Sequence, residues 1–159
     1  MNLIIDVQGF KAESNQFIPK EIAVLDGERL QTFLIKPPFP FYDLSMREMK
    51  QVAWIERNRN IYWNEGFIPF TYFKNIIAPI ANNKFIYVKG EEKKMWVKEM
   101  IRNCNVVNIE VKNCPNFNIL YDLYSKCNDV YSCIYHKNVC ALKNVICINK
   151  WCIDNKFFC

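Results

Sequence analysis

All eight cysteines of this chain lie after residue 103, and its only histidine falls among them. Clustered thiols constrain a fold because they cross-link a domain, bind a metal or fill a core. The densest part, Cys133-x2-His136-x3-Cys140, places three zinc-type ligands within eight residues. The spacing therefore predicts a zinc site at these three positions. A fourth ligand would come from Cys127, from Cys114 or from an acidic residue of a neighbouring strand.

Two other interpretations of the cysteines stay open. Buried thiols often serve as small apolar side chains, and this is the role we expect for Cys147 and Cys152. A Cys–His pair can also act as a nucleophile, but nothing around this pair suggests an oxyanion hole.

Composition indicates one globular domain over residues 1–159, because 51% of the residues are hydrophobic and 15% are aromatic. The first eight residues carry Asp6 and lack the basic segment of a signal peptide. No apolar run approaches the ~20 residues of a membrane span. We therefore expect a protein of the cytoplasm or nucleus that is neither secreted nor bound to membrane. The net charge of +5 is compatible with a nucleic-acid partner.

Hydrophobic periodicity and turn residues predict an ordered series of strands and helices. Asp26-Gly27 is typical of a hairpin turn, and Ser45 with Glu48 has the capping-box pattern of a helix start. Pro115 is expected at the first position of a later helix. The predicted strands are 2–8, 21–25, 30–35, 84–88 and 105–111, with 9–17 as a loop. The predicted helices are 44–58, 69–81, 91–103, 115–125 and 140–155.

Three antiparallel strands followed by alternating helices and strands is the order found in ribonuclease H-like folds. We therefore expect an α/β, ribonuclease H-like mixed sheet flanked by helices. In layout the chain resembles the DEDD exonucleases of that fold, whose carboxylates hold two divalent cations. At the corresponding positions this sequence has Asp6, Gln8, Lys93 or Lys94, Cys140 and Asn144. A single carboxylate cannot hold two such ions, so the sequence argues against two-metal exonuclease chemistry and no catalytic residue is assigned.

Two segments resemble the Maelstrom domain family, a ribonuclease H-like group from the Piwi-interacting RNA pathway. They are Phe17-Ile18-Pro19-Lys20-Glu21-Ile22, with Thr32-Phe33 and Ile35-Lys36-Pro37 downstream, and Cys133-x-x-His136 followed by Cys140-Ala141-Leu142. The resemblance implies a stand-alone relative whose structural zinc is held by Glu21, Cys133, His136 and Cys140. His136 and Cys140 are closer together than the family pattern suggests.

The resemblance also implies binding of single-stranded RNA in small-RNA-guided or transposon silencing, with weak RNA cleavage in some members. We expect RNA contacts from basic side chains, with Tyr62 and Trp63 as stacking surfaces. The basic candidates are Arg57, Arg59, Lys89, Lys93, Lys94 and Lys98.

Two alternatives follow from the same sequence. One is a protein-interaction scaffold in a silencing complex, using Phe39, Phe41, Tyr42, Tyr62, Trp63 and Phe67 as the partner surface. The other is a residual nuclease that uses Asp6 with Glu91 or Glu92.

Overall fold

A computed structural model describes residues 2–124 and 140–158. Cys127, Cys133 and His136 lie outside the described residues. The five strands of the described part are β1 (Asn2–Lys11), β2 (Phe17–Asp26), β3 (Arg29–Leu34), β4 (Phe85–Val88) and β5 (Asn105–Asn108). Its α-helices are α1 (Met46–Arg59), α2 (Phe73–Ala81), α3 (Glu91–Met100), α4 (Phe117–Tyr124) and α5 (Ala141–Asp154).

The strands form one mixed sheet in the order β3-β2-β1-β4-β5. β1, β2 and β3 pair antiparallel, whereas β1, β4 and β5 pair parallel. The chain is therefore an α/β protein with a five-stranded mixed sheet flanked by helices, as expected. Among the described residues no helix is long and apolar enough to cross a membrane.

β1 is central, and its alternate side chains face two different cores because successive side chains of a strand point to opposite faces. Leu3, Ile5 and Val7 pack in a core with α2 and α3. Ile4 packs in a second core with α4 and α5. A third core lies at the far ends of β1 and β2, where Phe10 and other apolar residues pack against α1. The second face matters for the site, because Asp6 and Gln8 share it with Ile4.

Local signals predicted several element boundaries correctly. Ser45 caps α1 by accepting a hydrogen bond from the backbone N–H of Glu48, 3.2 Å away. In turn, the Ser45 N–H donates a hydrogen bond to the Glu48 carboxylate. The β2–β3 hairpin forms as predicted, although its two-residue turn is Gly27-Glu28, between the paired Asp26 and Arg29, and Gly27 has a φ of 61°.

Other predicted boundaries of strands and helices were wrong. Residues 9–11 continue β1, and β2 begins at Phe17, so only the middle of the expected 9–17 loop is irregular. Pro115 does not occupy the first helical position, because α4 begins at Phe117 after Asn116, whose side chain accepts from the Ile119 N–H. β5 ends at Asn108, where the chain enters a 3-10 helix, Ile109–Lys112.

A bulge in β2 sets the register near the site. Gln8 pairs with Glu21, whereas the next residue, Gly9, pairs with Pro19, so Lys20 is the extra residue. Gly9 suits this close approach because a Cβ there would lie 2.1 Å from the Ile18 carbonyl oxygen. Lys20 and Glu21, which are adjacent in sequence, are both buried, as are all residues of β2 from Ile18 to Leu25.

Candidate functional site

Asp6 is the centre of a buried polar cluster. Its side chain has no exposed surface, and Oδ1 forms an ion pair with the Lys93 ammonium from α3. Oδ2 accepts hydrogen bonds from Gln8 Nε2 at 3.1 Å and from Asn144 Nδ2 at 2.7 Å. Asn144 lies on α5 and is itself fully buried. Four of the positions that the resemblance aligns with DEDD metal ligands therefore meet around one carboxylate and one ammonium, whereas the fifth, Cys140, contacts Glu21.

Two further side chains surround this cluster. Arg59 Nη1, at the end of α1, donates to Gln8 Oε1 at 3.3 Å. The Tyr121 hydroxyl, on α4, donates to Asn144 Oδ1. Burial, with a contribution from the charge of Asp6, raises the pKa of Tyr121, so the hydroxyl keeps its proton and acts as a donor. Asp6 is thus connected through hydrogen bonds to four helices.

Glu21 and Cys140 meet at the N-terminus of α5. Cys140 Sγ donates to Glu21 Oε1 at 3.4 Å, and the Ala141 N–H donates to Glu21 Oε2 at 3.0 Å. Both residues are buried. Zn–O and Zn–S bond lengths put tetrahedral oxygen and sulfur ligands about 3.6 Å apart. This pair, separated by 119 positions in sequence, has a spacing that fits two ligands of one zinc ion.

The described residues contain no group of three or more His, Cys, Asp or Glu side chains placed to hold a metal ion. The predicted ligands Cys133 and His136, and the alternative Cys127, lie outside those residues. Cys114 is buried in the second core, where its thiol points to the Pro115 carbonyl at 3.8 Å and burial raises its pKa to about 11.

Cys147 and Cys152 are fully buried in the same core, as expected for small apolar side chains. Burial raises the pKa of both thiols, that of Cys152 to about 12. Both therefore stay protonated at neutral pH, which favours a packing role.

The predicted RNA contacts do not form one uniform surface. Lys89 is buried and paired with Glu110 at 2.7 Å, and Lys94 pairs with Glu91 at 3.2 Å. Arg57 and Lys98 are exposed on α1 and α3. Lys93 and Arg59 belong to the polar cluster. Only part of the predicted set is therefore free to contact a ligand without breaking an ion pair.

Several cations lie over aromatic rings beside the cluster. Arg59 is 5.7 Å from the centre of the Trp54 ring, and Lys143 is 4.0 Å from that of Tyr121. Lys89 and Lys93 each lie 5.4 Å from the centre of Phe117. We name Trp54, Arg59, Lys93, Phe117, Tyr121 and Lys143 the basic–aromatic strip. Neither Lys143 nor Tyr121 could be predicted from the sequence, because their pairing depends on how α4 packs against α5.

Trp63 was wrongly expected to be an exposed stacking surface. It is 1% exposed and fills the third core, with Nε1 donating to the Phe39 carbonyl at 3.3 Å. Phe39 and Phe41 pack against the same core and are half-buried. Tyr42, Tyr62 and Phe67 are exposed, so half of the suggested partner surface is available.

Glu91 and Glu92 do not join Asp6. Glu91 contacts Lys94 and Asn108, and Glu92 pairs with Lys11 at 2.8 Å. Hydrogen bonds from these partners lower the pKa of both carboxyls. The described geometry thus directs both acids away from a shared metal site with Asp6.

Lys20, which sequence reasoning missed, is 2% exposed. Its ammonium donates to the carbonyls of Ile35 at 2.6 Å, Trp63 at 2.8 Å and Glu65. Burial lowers the pKa of Lys20 to about 8, whereas the charge of Glu65 acts in the opposite direction. Lys20 thus ties β2 to the segments that follow β3 and α1.

Comparison with protein-family models finds no match for this chain, and comparison with curated proteins finds none either.

Proposed function

We propose that this chain is a ribonuclease H-like domain that has lost two-metal catalysis and binds single-stranded RNA along the basic–aromatic strip. The strand order β3-β2-β1-β4-β5 supports the fold assignment, with its first three strands antiparallel and its last two parallel to β1. α5 supports it further, because it packs on β1 and β2 and brings Asn144 to Asp6.

The observation that carries the proposal is the contact between Lys93 and Asp6. Two divalent cations about 4 Å apart require several carboxylates between them. This cluster offers one carboxylate, two amides and an ammonium, and the ammonium would repel a metal ion. The residues therefore do not fit a two-metal centre.

The basic–aromatic strip has the chemistry of a single-strand binding surface. Proteins that bind single strands combine cations for the phosphates with aromatic rings on which bases stack. Trp54 is 53% exposed, and Arg59 lies over its ring. Contacts lead from Arg59 through the buried Gln8 and Asp6 to Lys93 and then to Phe117, whose ring centre lies 5.9 Å from that of Tyr121. The two parts of the strip are therefore linked by side-chain contacts beneath the surface.

We further propose a structural zinc ion held by Glu21, Cys133, His136 and Cys140. The 3.4 Å separation of Glu21 Oε1 and Cys140 Sγ supports the first and last of these ligands. The Ala141 N–H would hold the other carboxylate oxygen and fix its orientation. With four protein ligands no position stays open for water, so the ion would stabilise the fold.

On the resemblance to the Maelstrom family, we propose that this activity belongs to small-RNA or transposon silencing inside the cell. The resemblance supports the proposal through the segments around Glu21 and Cys140, which meet in the structure.

Fluorescence anisotropy with a labelled single-stranded RNA tests the RNA proposal. Affinity should fall steeply between low and physiological salt, because phosphate contacts release counterions. Arg59→Glu should weaken binding at least tenfold. Arg29→Glu is the matched control, since Arg29 is exposed at the β2–β3 turn, at the opposite end of β1 from the strip. Equal loss in both variants, or no binding at low salt, would overturn the RNA proposal and favour the protein-interaction scaffold.

A further inference from the structure

The hydrogen-bond partners of the Gln8 and Asn144 side-chain amides determine which amide atom faces Asp6. Arginine can only donate, so the Gln8 atom that faces Arg59 is its oxygen, and Nε2 faces Asp6. An ionised carboxylate can only accept, so Asn144 presents Nδ2 to Asp6 and its oxygen to Tyr121. Both amides therefore direct N–H groups at the carboxylate, whereas a hard metal ion would require their oxygens.

The charge of Asp6 also requires compensation. A buried carboxylate is costly unless a positive charge or several hydrogen bonds satisfy it. In the described structure Lys93 is the cation in contact with it, and its side chain is 23% exposed. The Lys93 side chain thus extends from the protein surface to the buried carboxylate.

We propose that the Lys93 ammonium is a built-in counter-cation that takes the position of a divalent metal ion. Removing it leaves a buried carboxylate next to an opening to solvent, flanked by the Asn144 amide. This amide can rotate to present oxygen, because its partner, the Tyr121 hydroxyl, can accept as well as donate. The variant site then binds a divalent cation from solution, whereas the natural site does not. This inference does not depend on RNA binding or on zinc.

The test uses the full chain as purified and Mn²⁺ as the probe, with thermal unfolding and electron paramagnetic resonance as readouts. Millimolar Mn²⁺ should leave the melting temperature of the natural protein unchanged. Lys93→Met should lower it by roughly 10 °C, because one partner of a buried ion pair is lost. Mn²⁺ should then restore at least half of the loss, with a Kd of about 1 mM or tighter.

Two variants serve as controls. Asp6→Asn with Lys93→Met removes both charges, so Mn²⁺ should neither bind at this site nor raise the melting temperature. Lys94→Met removes the neighbouring lysine, whose partner Glu91 is exposed, and should change neither stability nor Mn²⁺ response. Binding of Mn²⁺ to the zinc ligands would be the same in all variants and is subtracted by this comparison.

Equal Mn²⁺ binding by Lys93→Met and the double variant would overturn the proposal, as would Mn²⁺ binding by the natural protein that Asp6→Asn abolishes. If Lys93→Met folds only with Mn²⁺, the proposal is supported. If it folds under neither condition, Asn144→Asp combined with Lys93→Met decides. This change places a second carboxylate beside Asp6 after the ammonium is removed. It should fold or gain stability with Mn²⁺, and the absence of that response would overturn the proposal.

Discussion

Gln8 and Glu21 lie directly opposite each other on β1 and β2, and each belongs to a different polar site. Gln8 donates to Asp6 in the cluster that holds Lys93, whereas Glu21 meets Cys140 at the start of α5. The first turn of α5 contacts both sites, since Ala141 binds Glu21 and Asn144 binds Asp6. The proposed zinc clamp and the polar cluster around Asp6 therefore share one strand pair and one helix turn, and a change in either should alter the position of α5.

Removing zinc tests the clamp. We expect a strong chelator to lower the melting temperature, because the proposed ion joins residue 21 to residue 140 and its binding energy contributes to folding. Elemental analysis should find one zinc per chain before treatment. Glu21→Gln should reduce that content, whereas Glu28→Gln, at an exposed turn position, should not. An unchanged melting temperature together with zinc-free protein would exclude the clamp.

Lys20→Met should destabilise the protein by about 3 kcal/mol or more. The change leaves three backbone carbonyls without their donor, and a buried acceptor that loses its partner costs about 1–3 kcal/mol. Urea unfolding followed by circular dichroism measures the difference. Lys36→Met makes the same change at an exposed position of the neighbouring segment and should have an effect within about 0.5 kcal/mol. A similar small effect at Lys20 would contradict the role assigned to its ammonium.

Glu48 should contribute stability that disappears in acid. Its carboxylate accepts from the backbone N–H groups of Glu13 at 2.9 Å and Ser45 at 2.8 Å, and these bonds hold its pKa below the ordinary value of 4.5. Since the folded pKa is depressed, the contribution is complete above pH 4.5 and is lost as the pH falls through the folded pKa.

The variant Glu48→Gln should therefore cost about 0.5–1 kcal/mol at neutral pH, a small value because the group is solvent-accessible. The cost should shrink toward zero when unfolding is repeated below the folded pKa. Glu28→Gln, in the exposed turn before β3, serves as the reference. A cost that is equal at both pH values would show that the carboxylate charge contributes nothing.

Glu48 also illustrates what the sequence could predict. The capping box with Ser45 and the hairpin at Gly27 were correct because their geometry depends on residues within a few positions. The prediction that Trp63 is exposed was wrong, because distant partners decide whether an aromatic residue in a loop is exposed or buried. Here those partners are Phe10 and Phe39.

Long-range contacts explain the remaining differences. The resemblance aligned Lys93 or Lys94 with a metal position of the DEDD exonucleases, but the sequence could not show which of them reaches Asp6, 87 residues away. It gave no indication that Lys20 binds three carbonyls, because these belong to residues 15, 43 and 45 positions further on. Only the family resemblance predicts Glu21 as a zinc ligand, since a glutamate at a strand start is usually solvated.

Gly9→Ala tests the bulge that places Gln8 opposite Glu21. The new methyl group would lie 2.1 Å from the Ile18 carbonyl oxygen, which is backbone and cannot rotate away. β1 and β2 must then separate or change register, and overpacking of this kind costs about 1–3 kcal/mol. Urea unfolding should show that loss, and zinc content should fall because Glu21 moves relative to Cys140. Gly27→Asn is the control: nothing lies within 4 Å of a Cβ at Gly27, and asparagine tolerates its positive φ. If Gly9→Ala is as stable as this control and keeps its zinc, the register of β1 and β2 is not what positions the two sites.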